Sequence, residues 1–196
     1  MQLNENNWTI PNILTIARIL LTPCFVISYV DGKTELAWGL FLVAGITDAA
    51  DGFLARVLHQ RTRLGAMLDP LADKALVASA FLCLGISGWV PSWLVILVIS
   101  RDVIIVGGLS ALSFWGVDVK VKIRPSWMSK LNTSCQISLI VVVMLEEMHW
   151  LSLPMLVDIL VGAVCVLTVV TAIHYTLRGL AMFPEHDAEA EGDSSK

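Results

Sequence analysis

The chain has 196 residues, of which 56% are hydrophobic and 15% charged, with a mean hydropathy of +0.75. Soluble domains are about 45–50% apolar and about 25% charged, so an ordinary soluble globular fold is excluded and lipid is indicated as the solvent. The formal charge of −4 hides a split. Glu185, Asp187, Glu189, Glu191 and Asp193 gather in the last stretch, while the remainder is near neutral and carries no basic footprint for nucleic acid.

Residues 1–10 are largely polar and lack a basic n-region, so the expectation is an interfacial lead-in anchored by Trp8 rather than a cleavable signal. Six apolar blocks follow at 13–30, 35–56, 68–88, 92–115, 127–148 and 152–177. Each approaches the roughly 20 residues a helix needs to cross a bilayer. The breaks between them carry turn chemistry: Asp31-Gly32, Gly88 to Pro91, Gly116 to Pro125, and Pro154 near a helix start. The fold class predicted is all-α integral membrane, with six transmembrane helices behind an N-terminal interfacial segment. Residues 1–183 form one transmembrane domain, and 184–196 an acidic, disordered cytoplasmic tail. Arg61 and Arg63 follow the second block, Lys120, Lys122 and Arg124 the fourth, and Arg178 the sixth; the opposite connections hold only Lys33. The positive-inside rule therefore predicts a multi-pass protein of the cell (inner) membrane with both termini cytoplasmic.

Cys24, Cys83, Cys135 and Cys165 lie singly in apolar blocks and read as small hydrophobes rather than ligands. Most tryptophans sit near block ends, as an aromatic belt requires.

Several ionisable residues fall in apolar surroundings: Arg18, Asp48, Asp51, Asp69, Asp73, Arg101 and Asp102. Such residues are functional by default in a membrane. Asp48 and Asp51 are spaced i,i+3 at the end of the second block, Asp69 and Asp73 i,i+4 at the start of the third. Each pair shares a helical face, and the short connection predicts antiparallel neighbours that converge on one pocket. Four carboxylates together repel; two divalent cations relieve this, and hard oxygen donors suit Mg²⁺ or Mn²⁺. A two-ion clamp serves displacement at phosphorus. Gly52 and Gly65 leave room for close approach, and Arg56 supplies a fork for a diphosphate. A cation or proton transporter could use the same carboxylates, but gives no role to Gly52, Ala55, Arg56 and Gly65.

The segment DAADGFLARVLHQRTRLGAMLDPLAD, residues 48–73, resembles the signature of the CDP-alcohol phosphatidyltransferase family, D-x2-D-G-x2-A-R-x8-G-x3-D-x3-D, at every fixed position. The entry segment IPNILTIARILLTP (10–23) and the six-block layout resemble the family as well. The resemblance implies a six-helix fold, commonly a homodimer, with a cytoplasm-facing site. It implies that Asp48, Asp51 and Asp69 ligate metal and that Asp73 is the general base, touching metal too. Gly52, Arg56, Thr62 and Gly65 would contact the CDP-lipid donor, and Pro11, Asn12 and Ile13 would line the cytidine site. CDP-diacylglycerol would then donate its phosphatidyl group to an alcohol, with release of CMP.

Two weaker features stay open. Asn12, Thr15, Arg18 and Thr22 form a polar stripe that either lines the nucleotide end or hydrogen-bonds between helices. Arg101 and Asp102 are adjacent and are expected to need separate partners, in the active site or in a structural ion pair. For the acceptor, residues 121–136 are rich in donors, and Arg101, Lys122, Arg124, Lys130 and Asn132 are the candidates, with topology alone as the plain alternative for the basic ones. The run Ser129-Lys130-Leu131-Asn132-Thr133 resembles the cardiolipin-forming branch, which accepts phosphatidylglycerol, more than the branch that accepts glycerol 3-phosphate and carries a second lysine there. Asn132 in place of that lysine suits a phosphodiester of charge −1 better than a monoester near −2.

Overall fold

The computed structural model describes the backbone of residues 10–57, 63–114 and 127–180. It describes the side chains there except at 10–11, 49, 51–57, 63–67, 69–70, 109–114 and 178–180. The described residues form six α-helices: α1 Ile10–Val30, α2 Thr34–Val57, α3 Arg63–Ile86, α4 Ser92–Phe114, α5 Trp127–Glu147 and α6 Pro154–Leu180. They coincide with the six apolar blocks, α3 beginning five residues earlier than its block. The interfacial lead-in with Trp8, and the tail from 184, lie outside the described residues.

Three helices contain stretches long and apolar enough to cross a membrane by the described residues alone: Asn12–Val30, Trp127–Glu147 and Pro154–Leu177. All six turn large apolar side chains outward, among them Leu20, Ile46, Ile86, Ile96, Ile137 and Val166. The interior, in contrast, holds Arg18, Arg101, Asn132, Gln136, Thr168 and Thr171. Apolar outside with polar groups inside is the arrangement lipid imposes, because interhelical hydrogen bonds and close packing replace the hydrophobic drive.

The helices associate as two groups. In one, α1 packs along both α2 and α3; in the other, α6 packs along both α4 and α5. Helix α3 joins the groups through α4 and α5. Among the described residues, direct contact between α2 and α3 is slight. A residue of α1 lies between their carboxylates instead.

At one end, three connections close tightly. Helix α1 ends in a Schellman turn with Gly32 at φ 75°, where Lys33 N–H donates to Ser28 O and Gly32 N–H to Tyr29 O. Helix α3 ends the same way around Gly88 at φ 80°. Helix α5 repeats the motif with His149 at φ 56°, Trp150 N–H donating to Leu145 O. The predicted turns at Asp31-Gly32 and Gly88 follow from glycine's tolerance of positive φ; a histidine in that role carried no comparable signal. Beneath these turns Phe25, Trp38 and Phe41 stack with ring centroids 5.7 Å apart, and Tyr29 meets Trp38 edge-on. Trp38 is therefore core. Trp89, Trp93, Trp127 and Trp150 are exposed near helix ends, as a belt would be. Cys83 is buried, Cys135 and Cys165 pack against the core, and Cys24 faces outward, so the reading as buried hydrophobes fails for Cys24.

Candidate active site

A cavity of about 440 Å³ opens between the two helix groups. Its walls are Phe41, Leu42, Gly45, Ile46 and Asp48 from α2, and Asp73, Lys74, Leu76 and Val77 from α3. Arg101 and Asp102 of α4 and Ser129, Thr133, Gln136, Ile137 and Val141 of α5 complete it. Charge is concentrated at the end where α2 finishes and α3 begins; the rest of the lining is largely apolar.

Asp48 and Asp73 meet at that charged end through Arg18. The Arg18 guanidinium, fully buried, approaches Asp48 Oδ1 at 2.8 Å and donates from the same Nη1 to Asp73 Oδ1. Both carboxylates remain almost half exposed. Arg18 reaches them because the stripe Asn12, Thr15, Arg18, Thr22 turns wholly inward, and Thr22 Oγ1 donates back to Arg18 O at 2.9 Å. Hence the stripe packs between helices, and one of its side chains, Arg18, reaches the carboxylates.

A second set of charges flanks the first. Arg101 Nη1 donates to Asp102 Oδ1 at 2.7 Å, Nη2 to Ser129 Oγ at 2.9 Å, and Nε to Thr171 Oγ1 at 3.2 Å. Lys74 Nζ lies 3.0 Å from the same Asp102 oxygen. The expectation that Arg101 and Asp102 could not pair is thus overturned: the long guanidinium folds back along α4 to its neighbour while its other nitrogens reach α5 and α6. They form an ion pair and line the cavity at once.

Not all candidates gather here. Asn132 is fully buried between α5 and α6, its Oδ1 accepting from Thr168 Oγ1 at 3.1 Å, and is absent from the cavity lining. Lys130 is exposed, its Nζ 5.5 Å over the Trp127 ring. Neither side chain is therefore brought to the cavity: Lys130 lies on the outer side of α5, and Asn132, at the edge of the stripe formed by Ser129, Thr133 and Gln136, turns to α6. Asn12 is buried and Ile13 half exposed. Asp51, Gly52 and Arg56 lie on α2, and Gly65 and Asp69 on α3, by backbone; their side chains, and that of Pro11, lie outside the described set. Thr62, Lys122 and Arg124 lie outside the described residues altogether.

Three contributors escaped the sequence reading or its final site. Arg18 was noted for its charge but not for bridging the carboxylates. Lys74, directly after the last motif aspartate, and Gln136, one α5 turn past Asn132, were not singled out. A lysine inside an otherwise apolar helix was the available signal for Lys74.

No group of three His, Cys, Asp or Glu side chains comes together among the described residues, a set that excludes the side chains of Asp51 and Asp69. The donor type, carboxylate oxygen, is the one a divalent cation takes. Asp48 and Asp73 offer hard oxygens to one point in space, and that point already attracts the Arg18 cation. Asp51 and Asp69 stand about one turn away along α2 and α3 respectively.

The family model described as CDP-alcohol phosphatidyltransferase matches residues 8–174. The chain belongs to this family. Human cardiolipin synthase (CMP-forming) is 34% identical over 152 residues, which cover 70% of this chain and 50% of the human one. The probable phosphatidylglycerophosphate synthase of Mycobacterium tuberculosis (strain ATCC 25618 / H37Rv) is 33% identical over 178 residues, 86% of this chain and 80% of that one. The probable cardiolipin synthase (CMP-forming) of Drosophila melanogaster is 35% identical over 150 residues, covering 69% and 47%. The chain thus spans about half the length of its animal relatives. Family membership and the candidate spans together make it a membrane protein.

Proposed function

We propose that this protein transfers the phosphatidyl group of CDP-diacylglycerol to a hydroxyl of phosphatidylglycerol, giving cardiolipin and CMP. The observation that carries the reading is Asp48 and Asp73 meeting at the charged mouth of a cavity whose inner walls are apolar. Asp73 takes the proton of the acceptor hydroxyl. The freed oxygen pair attacks the lipid-side phosphorus, and the bond to the bridging oxygen breaks, its electron pair leaving with CMP. Arg18 holds both carboxylates in place, and Arg56 is assigned to the leaving phosphate. Asp48, Asp51, Asp69 and Asp73 would hold two Mg²⁺ or Mn²⁺ ions, which when bound supply charge neutralisation for the diphosphate. Gly52, Thr62 and Gly65, with Pro11, Asn12 and Ile13 at the nucleotide end, are assigned to the donor.

The charge balance of the second set supports the choice of acceptor. Lys74 and Arg101 share Asp102, a net of one positive charge, which complements a phosphodiester better than a dianionic monoester. Lys122 and Arg124, also assigned to the acceptor phosphate, would add positive charge and so weigh toward the monoester of the second reading. Outward apolar side chains on every helix favour six spans, and the basic connections favour a cytoplasmic site, both termini inside. A homodimer is the assembly the family resemblance supports. A second reading, glycerol 3-phosphate as acceptor, is favoured by the mycobacterial relative's name and its longer shared stretch.

An acceptor panel tests the proposal. Purified protein with CDP-diacylglycerol and metal should release CMP faster with phosphatidylglycerol than with glycerol 3-phosphate. Glycerol 3-phosphate as sole productive acceptor overturns the cardiolipin assignment and leaves the transfer chemistry standing; no CMP release with any alcohol overturns both.

A further inference from the structure

Gln136 is 2% exposed, lines the cavity, and its Nε2 has no hydrogen-bond partner among the described residues. A buried amide donor left unsatisfied is destabilising, and buried polar groups are otherwise nearly always paired. Asn132 Nδ2, also buried, likewise has no partner among the described residues, but Asn132 does not line the cavity, so Gln136 is the one of the two that a ligand there could meet. Arg101, Asp102, Ser129 and Lys74, nearer the mouth, all have partners. Asn132, one turn earlier on α5, points to α6 and holds Thr168.

Position defines what Gln136 meets. Helix α5 runs inward from Ser129, which holds Arg101; Gln136 lies seven residues deeper, about 10 Å along the axis. Beyond it the same wall is Ile137 and Val141, facing Leu76 and Val77 of α3 across an apolar space. Gln136 is therefore the last polar group before the lining turns to hydrocarbon. A ligand whose charged part sits by Asp73 and Arg101 must present an oxygen acceptor at that depth and hydrocarbon beyond it. In a glycerolipid the group at that junction is the ester linkage.

We infer that Gln136 Nε2 donates a hydrogen bond to an ester carbonyl oxygen of a diacylglycerol-based substrate, so that Gln136 reads the polar–apolar junction of the lipid. This rests on the proposed use of such substrates. Two carry the ester, the CDP-lipid donor and the lipid acceptor, and the experiment separates them.

The first arm uses the unmodified protein and substitutes, one at a time, dialkyl-ether analogues for CDP-diacylglycerol and for phosphatidylglycerol in mixed micelles. One analogue should show a KM raised about fivefold to tenfold, with kcat within twofold, since the carbonyl is missing. The second arm repeats both titrations with Gln136→Met, which keeps the length and removes the donor. The variant should lose the ester-over-ether preference and show the raised KM with the ester lipid itself. Its unfolding midpoint without substrate should equal or exceed that of the unmodified protein, because an unsatisfied donor has gone. Equal KM for ester and ether forms of both lipids in the unmodified protein overturns the inference. So does a Gln136→Met variant with a lowered midpoint in which both KM values and kcat shift together, the signature of packing alone. If glycerol 3-phosphate proves to be the acceptor, the CDP-lipid titration still decides the role of Gln136.

Discussion

The two ends of the bundle solve opposite problems. At the end formed by the α1–α2, α3–α4 and α5–α6 connections, every prominent polar group is satisfied. Glu147 accepts from Tyr29 at 2.7 Å and from Trp38 Nε1 at 2.8 Å, and Tyr29 also meets Ser87 at 2.6 Å. One carboxylate thereby ties α1 and α2 to α5, and Tyr29 extends the link to Ser87 just past the end of α3. Glu146 caps the start of α6 by accepting from Leu153 N–H at 2.7 Å. At the other end Asp48 and Asp73 share a single guanidinium and stay open to the cavity. Acidic residues at one end close the structure; at the other two of them are brought together by one guanidinium while both stay almost half exposed. Carboxylates in a membrane protein thus serve fastening or chemistry according to how many donors surround them.

The sharpest way to break this contrast is at Asp73. Asp73→Asn should lower CMP release by roughly 10²–10⁴-fold, the range for loss of a general base, while CDP-diacylglycerol binding stays measurable. Turnover near that of the unmodified protein would remove Asp73 from catalysis. Chelation of divalent cations should abolish release in the unmodified protein, and robust metal-free turnover would sink the two-ion reading.

Glu147→Ala should do the reverse, costing about 2–3 kcal/mol of stability through two lost charge-assisted bonds with kcat within twofold. Thermal unfolding in detergent, read beside initial rates, checks it; a lost rate at unchanged stability would contradict the division of labour. Arg18→Gln sharpens the comparison at the carboxylates. Without the guanidinium, Asp48 and Asp73 repel, so the midpoint should fall by about 2 kcal/mol equivalent and recover on adding Mg²⁺ or Mn²⁺. A fall that metal does not restore would mean Arg18 is only packing. The smallest effect belongs to the turn at His149. Glycine there should stabilise by about 0.5–1 kcal/mol, relieving a side chain at positive φ; a lower midpoint would show that the imidazole contributes contacts of its own.

How much was legible depends on the kind of pattern involved. Helix positions were readable because apolar blocks near 20 residues leave few alternatives in lipid, and because Gly32 and Gly88 announce their turns. The motif carboxylates were readable because i,i+3 and i,i+4 spacing is a local property of one helix. Arg101 does line the cavity, but its pairing with Asp102 is not legible in the sequence, since face arithmetic ignores the reach of a guanidinium. Lys130 and Asn132 were chosen from a local run, but helix rotation about α5 sends one outward and the other to α6.

By itself the sequence determined the membrane class, the six described helices and the spacing of the motif carboxylates along α2 and α3. Each of these is set by composition or by spacing within a single helix. Tertiary structure alone decided that α1 rather than direct contact joins α2 to α3, that Arg18 bridges Asp48 and Asp73, and that Lys74 shares Asp102 with Arg101. It also decided that Gln136 ends the polar wall while Asn132 leaves it. These depend on the rotation of one helix against another, and in lipid that rotation is fixed by packing and interhelical hydrogen bonds between residues far apart in the chain.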